Sequence, residues 1–86
     1  MFPFKEKKEK NNIFIREFSS STDSKEFVWH RDKEDRIVEA ISNSGWMIQM
    51  DNELPRLIDG KIFIPKETYH RVIKGKGDLV VRITKI

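Results

Sequence analysis

The chain has 86 residues, which is enough for one domain and too few for two. It carries 17 lysine and arginine residues against 14 aspartate and glutamate residues, and its net charge of +3 is too small to indicate a nucleic-acid-binding protein. There is no cysteine, which excludes disulfides, thiolate metal sites and a cysteine nucleophile, so any metal must be bound by nitrogen and oxygen atoms.

The size and the apolar pattern also bear on location and assembly. No apolar run approaches the roughly 18 to 20 residues that cross a bilayer, and the first residues lack the apolar segment of a signal peptide. We therefore expect a cytoplasmic protein without membrane partners. A domain this small buries only about 60 to 65% of its unfolded surface, so a metal or a second subunit must add stability, and we expect a homodimer.

Residues 1–11 are charged and polar except at the very start of the chain, and they show no sustained period. They are predicted to form an N-terminal arm, with Phe2 and Phe4 available to pack against a partner. Residues 12–86 are predicted to form the single domain.

Short segments rich in β-branched and aromatic residues follow the arm, and turn-forming residues separate them. About seven strands at intervals of roughly ten residues predict an all-β sandwich or barrel, and no helix is predicted. A short turn at 42–45 between two of these segments also predicts a β-hairpin. The predicted strands are Ile13–Phe18, Glu26–His30, Ile37–Ile41, Trp46–Met50, Lys61–Ile64, Tyr69–Ile73 and Leu79–Thr84.

The two histidines are the main candidates for chemistry. Residues two apart in a strand face the same side, so His30 and Asp32 would present an imidazole and a carboxylate to one surface. If His70 faces the same cavity from another strand, two histidines and one carboxylate form the facial set that binds iron(II). The alternative is that both histidines are surface residues or hydrogen-bonded core residues without a metal.

Gly60–His70 runs from a glycine through a short apolar strand to a proline, with a histidine five positions after the proline. This segment closely matches the second motif of the cupin superfamily, which the sequence resembles. His30-Arg31-Asp32, followed by the strand predicted at 37–41 and a glycine turn, resembles the first motif of the family. The match covers roughly residues 27–83. The resemblance implies a small cupin-type jelly-roll barrel of about seven to eight antiparallel strands, with His30, Asp32 and His70 as the metal ligands.

The sequence departs from the cupin pattern at two positions. Asp32 stands where the family usually has a second histidine, so the resemblance implies a His-Asp-His ligand set. The usual glutamate or glutamine ligand falls near Asp35 or Arg36. A slip of one residue decides which of these two faces the cavity, and the sequence leaves that choice open.

Three residues are predicted to bind substrate. Arg36 could bind a carboxylate or phosphate through two hydrogen bonds, or it could pair with an aspartate. Gln49 could face the cavity as a polar anchor, or lie on a solvated face. Trp29 could stack on a ligand, although large aromatic residues near strand ends more often pack in a core or interface.

The resulting hypothesis is a metal-binding protein that acts on a small polar or anionic molecule in the barrel. The resemblance implies iron, manganese, zinc or nickel as the metal, and dioxygenation, isomerisation or a lyase reaction as the chemistry. The catalytic residues are not identified. The alternative is a non-enzymatic binding or structural module in which Asp32 pairs with Arg36 and no metal binds.

Overall fold

The computed structural model describes residues 3–86, which form two antiparallel β-sheets with the hydrophobic core between them. Numbered along the chain, the strands are β1 (Lys5–Lys10), β2 (Ile13–Phe18), β3 (Arg36–Ser42), β4 (Met47–Met50), β5 (Arg56–Leu57), β6 (Lys61–Ile64), β7 (His70–Ile73) and β8 (Leu79–Lys85). The larger sheet has the strand order β1-β2-β8-β3-β6, and the smaller sheet has the order β5-β4-β7.

The alternation of side chains explains how the two sheets enclose the core. Leu79, Val81 and Ile83 of β8 are buried, whereas the residues between them are partly exposed. Ile62 and Ile64 of β6 are buried in the same way. The core comprises Phe18, Val38, Trp46, Ile48, Met50, Ile58, Ile62, Ile64, Leu79, Val81 and Ile83.

This architecture confirms the predicted all-β fold, and the described residues contain eight strands where seven to eight were expected. Over residues 3–86 the two sheets face each other without joining into a closed barrel. No helix in this part of the chain has the length and apolar composition needed to span a bilayer. The homodimer and the cytoplasmic location stay predictions.

The N-terminal segment differs from the expected arm. Lys5–Lys10 forms β1, an edge strand that pairs with β2 in antiparallel register. Phe4 packs against Phe18 with ring centroids 5.3 Å apart, whereas Phe2 lies outside the described residues. The segment is included in the larger sheet because its backbone pairs with β2, which a charged and non-periodic sequence does not reveal.

Two other predictions about secondary structure are wrong. The segment Glu26–His30 is not a strand: Ser24–Glu26 forms a 3-10 turn capped by Asp23, and His30 forms an isolated β-bridge. Phe27 is partly buried and its ring meets that of Trp46 edge-on at 5.3 Å. Packing of this aromatic ring outweighs the β-propensity of the segment.

The predicted hairpin is also absent, because β3 and β4 lie in different sheets. The turn between them is stabilised by the side chain of Asn43, which accepts a hydrogen bond from Trp46 N and donates to the carbonyl oxygens of Trp46 and Ile58. Trp46 is fully buried and donates its indole N–H to Gly77 O at 2.7 Å. Because Trp46 is buried at the end of this turn, the chain passes from β3 in the larger sheet to β4 in the smaller sheet.

Gly75 provides a test of this crossing. A Cβ atom at Gly75 would lie 2.6 Å from the backbone nitrogen of Trp46, so Gly75→Ala requires backbone movement. We expect a loss of about 2 kcal/mol or more in the free energy of unfolding, measured by urea denaturation. The matched variant Lys76→Ala, at the exposed neighbour, should change it by less than about 0.5 kcal/mol. Equal stabilities of the two variants would contradict the close approach.

Candidate metal centre

A single β-bridge places the two histidines side by side. His30 N donates to His70 O at 3.0 Å, and His70 N donates to His30 O at 2.8 Å. Residues directly opposite each other in an antiparallel pair project to the same side, and the two imidazole centroids lie 4.4 Å apart. His70 is buried, and His30 is exposed. The histidine pair therefore extends from the protein interior, at His70, to the surface, at His30.

Hydrogen bonds to the backbone define which nitrogen of each imidazole is available. His30 Nδ1 lies 2.9 Å from Val28 O, and His70 Nδ1 lies 2.8 Å from Thr68 O. A carbonyl oxygen can only accept, so in the neutral ring Nδ1 carries the proton and Nε2 keeps its lone pair. This is the usual arrangement of a metal-binding histidine, in which one ring nitrogen is oriented by a backbone or carboxylate acceptor.

Asp32 completes the group with a carboxylate. Its Oδ2 atom lies 3.4 Å from His70 Nε2, and its Oδ1 atom lies 3.4 Å from Arg36 Nη2. Oδ2 is buried and has no hydrogen-bond partner among residues 3–86. A buried carboxylate oxygen without a donor is energetically costly, so it points to a ligand that supplies positive charge.

The three residues fit a divalent metal ion. One donor atom from each of His30, Asp32 and His70 lies within 4.8 Å of the other two. Donors that share one ion at a bond length of about 2.1 Å are separated by about 3 Å at a right angle and about 4 Å when opposite. The donors therefore need only a small approach to bind one ion. Two imidazoles and one carboxylate form the facial set typical of non-haem iron(II).

Burial lowers the pKa of His70 below that of an ordinary imidazole. The burial effect is larger than the opposing effect of the hydrogen bond to Thr68, and the nearby His30 and Arg36 lower the pKa further, while Asp32 raises it. The lowered pKa keeps the His70 ring neutral to a lower pH. A neutral ring is the form that binds metal.

The structure resolves which of Asp35 and Arg36 faces the interior. Arg36 begins β3 on the same face as the buried Val38, and it lines a cavity between the sheets. Asp35 turns the other way, and its Oδ1 atom accepts a hydrogen bond of 2.7 Å from Lys66 N. The position near the expected fourth cupin ligand therefore holds a cation, and the candidate ligands are the three residues His30, Asp32 and His70.

Arg36 is held beside the candidate metal ligands by acidic residues. Its Nη2 atom lies 3.4 Å from both Asp32 Oδ1 and Glu34 Oε2. Its Nε atom is buried and has no hydrogen-bond partner in the described part of the chain. The guanidinium group thus retains donor capacity after both ion pairs are made.

The cavity has a volume of about 240 Å³ and lies between the two sheets. Its walls are mostly apolar, and the two histidines and Arg36 supply polar groups at the end next to the candidate metal centre. Arg16 and Glu26 are the other charged residues of its lining. The apolar wall comprises Pro3, Phe4, Phe18, Phe27, Val28, Val38, Ile48, Ile58, Ile64, Val72, Leu79, Val81 and Ile83.

Trp29 and Gln49 lie outside this lining. Gln49 Oε1 accepts hydrogen bonds from Arg71 Nε at 3.0 Å and Nη2 at 2.9 Å, and Gln49 Nε2 donates to Glu53 O. Its neighbours in β4 are buried, so alternation directs Gln49 to the outer face of the smaller sheet. Trp29 also lies beside Arg71, whose guanidinium is 5.0 Å from its ring centroid. Of the three residues expected to bind substrate, Arg36 is the one in the cavity wall.

Sequence reasoning missed Arg16, which lines the cavity from β2. It forms an ion pair of 2.6 Å with Glu6 and lies over the ring of Phe4 at 4.2 Å. The available signal was the alternation of β2, because Phe14 and Phe18 share the face of Arg16. A charge between two aromatic residues on one strand face indicates an inward-pointing arginine.

No protein-family profile matches the sequence, and no curated protein matches it. Solved structures show the fold. The chain is similar to a cupin domain from Bordetella pertussis Tohama I, with a TM-score of 0.62 and 17% identity over 96% of this chain and 91% of that one. It is also similar to a putative mannose-6-phosphate isomerase from Ralstonia eutropha JMP134, with a TM-score of 0.63 and 19% identity over 95% and 82% of the two chains.

A structure of the DMSP lyases RdDddP and RnDddQII gives a TM-score of 0.71 at 11% identity, covering 85% of this chain and 36% of that one. A structure of Fe(II)-HppE with an alternative substrate gives a TM-score of 0.63 at 12% identity, covering 86% of this chain and 41% of that one. This chain therefore spans less than half the length of those two. These similarities show that it has a cupin-type fold.

The histidine tautomers can be tested directly. At about pH 8.5, where an imidazole is ordinarily neutral, long-range nitrogen–proton NMR correlations should show the proton on Nδ1 of both His30 and His70. The reason is that carbonyl oxygens face both Nδ1 atoms. The same measurement on urea-unfolded protein is the control, and there the two tautomers should mix. A proton fixed on Nε2 in the folded protein would contradict the proposed donor set.

Proposed function

We propose that the protein binds one divalent metal ion through His30, Asp32 and His70 and uses it on a small molecule held in the adjacent cavity. The convergence of two oriented imidazoles with a buried, unpartnered carboxylate oxygen carries this proposal. The donor set favours iron(II), with manganese, zinc and nickel as the other candidates. Metal-containing structures of the same fold, Fe(II)-HppE and Co(II)-HppE, support the binding of a metal by this chain.

The chemistry follows from the site and its surroundings. When bound, the ion would supply a Lewis acid or an oxygen-binding position for dioxygenation, isomerisation or a lyase reaction. The protein's own residues would orient the substrate and exclude water, because the cavity wall is mostly apolar. Arg36 borders both the ligand group and the cavity, so it would hold a polar or anionic group of the substrate next to the ion.

A second candidate function is a binding or structural module without metal. The ion pair between Asp32 and Arg36, with 3.4 Å between Oδ1 and Nη2, favours it because such a pair by itself neutralises the buried carboxylate. The pair uses Oδ1, however, and leaves Oδ2 without a donor. The two candidates differ in whether the protein retains metal and whether metal stabilises it.

Metal content and thermal stability test the proposal. Protein purified without a histidine tag and incubated anaerobically with iron(II), or with zinc(II) in air, should retain about one equivalent of metal by elemental analysis. Metal at about a hundredfold excess over its dissociation constant should raise the melting temperature by about 10 °C or more, because the ion binds only the folded chain.

His30→Ala is the diagnostic variant because His30 is exposed, so its loss leaves the core intact. This variant should melt like the metal-free wild type and gain little from added metal. The matched control is Arg31→Ala, at an exposed neighbour that pairs with Glu67 instead of facing the ligand group, and it should keep the full metal effect. A wild-type protein that retains no metal and melts identically with and without chelator would favour the metal-free module.

A further inference from the structure

The cavity and the charge beside it define the class of molecule that fits. The relevant features are the unused donor of Arg36, the apolar wall and the charge balance of the metal-loaded site. The charge balance rests on the metal-binding function proposed above, whereas the unused donor and the apolar wall are features of the chain alone.

Arg36 has a donor that the described residues do not use. Its Nη2 atom serves Asp32 and Glu34, whereas its buried Nε–H has no acceptor among residues 3–86. A guanidinium binds a carboxylate through two adjacent N–H groups, and Nε with a neighbouring terminal nitrogen forms such a pair. Arg36 lines the cavity, so an acidic ligand there lies beside a guanidinium that has an unused donor.

The charge balance favours a ligand with one negative charge. With a divalent ion bound and both histidines neutral, the carboxylates of Asp32 and Glu34 balance the ion and leave the charge of Arg36 uncompensated. The other cavity arginine, Arg16, is already paired with Glu6 at 2.6 Å. Glu26 lies in the exposed 3-10 turn, so it does not neutralise the metal-binding end.

The rest of the cavity wall favours a ligand whose remaining part is apolar. Residues such as Ile48, Ile64 and Val81 offer no hydrogen-bonding side chain, and a polar group placed against them would lose its water without compensation. A volume of about 240 Å³ lies below the roughly 300 to 1,000 Å³ of typical ligand pockets. The space therefore suits a compact ligand.

We infer that the cavity binds a compact apolar monocarboxylate, with its carboxylate on Arg36 next to the metal centre and its hydrocarbon part between the sheets. This assigns a substrate class to the proposed function, and it narrows the expected polar or anionic molecule to one that is anionic at one end only. Short-chain aliphatic acids and simple aromatic acids have this form.

Isothermal titration calorimetry with hexanoate, hexan-1-ol and acetate on the full chain tests the inference, using zinc-loaded and metal-free samples whose metal content is measured. Hexanoate should bind at least about tenfold more tightly than hexan-1-ol, because the alcohol lacks the charge. It should also bind at least about tenfold more tightly than acetate, because each buried methylene adds affinity. Equal binding of hexanoate and hexan-1-ol, or of hexanoate and acetate, would overturn the inference.

Variants test the two halves of the site. Arg36→Gln should abolish the preference for the acid over the alcohol, and the matched control Arg82→Gln, in an ion pair with Glu39 and outside the cavity lining, should keep it. Val72→Phe should weaken hexanoate binding at least tenfold by filling the cavity, without loss of metal. An Arg36→Gln protein that still prefers the acid would overturn the assignment, and the comparison of ligands on the wild type needs no variant to fold.

The measurements separate this inference from the proposed function. Protein that binds zinc but not hexanoate would overturn the inference and leave the metal-binding function intact. Protein that binds no metal, yet prefers hexanoate in an Arg36-dependent way, would overturn the metal-binding function and support the assignment of the cavity.

Discussion

The bridge between His30 and His70 is the interaction on which the candidate site depends. Two reciprocal backbone hydrogen bonds join a loop to the start of β7 and fix both imidazoles on one side. A shift of one residue in β7 would replace the buried imidazole with Tyr69 or Arg71, because side chains alternate along a strand. The neighbouring carbonyls of Val28 and Thr68 then orient each ring. Backbone geometry thus prepares the donor set before any ligand binds.

The surroundings divide the interior into two chemically distinct parts. Asp32, Arg36 and the two histidines concentrate charge and donor atoms at one end, while both sheets contribute an apolar wall to the rest. The apolar wall strengthens electrostatic interactions among Asp32, Arg36 and the two histidines, because little water is present to screen them. The cost is an imperfectly satisfied group of buried atoms, Asp32 Oδ2 and Arg36 Nε, which stable cores normally avoid. Such exceptions are typical of sites that bind ligands.

Sequence reasoning succeeded where a local pattern decides the structure, and less well where packing between distant segments decides it. Short β-branched and aromatic runs bounded by turn residues predicted β6 and β8. The resemblance to the cupin motifs identified the three donor residues that the structure brings together, although His30 and Asp32 do not lie in the strand that the spacing argument assumed. The choice between Asp35 and Arg36 depended on the register of β3 against its neighbours, which one sequence does not contain. The hairpin prediction was wrong because Trp46 is buried at the turn and β4 pairs in the smaller sheet, whereas β3 belongs to the larger one. Gln49 was ambiguous because the outer face of β4 carries both polar and apolar residues.

The edge strand β1 has a consequence for how copies of the protein can meet. It leaves one backbone edge of the larger sheet open, and such an edge is a template for the addition of a foreign strand. Every residue of Lys5–Lys10 is exposed, and four of the six are lysines. An incoming copy of this strand would bring four more lysines beside the first four, whereas Glu6 and Glu9 already pair with Arg16 and Arg82. The lysine charges therefore disfavour edge-to-edge aggregation through β1.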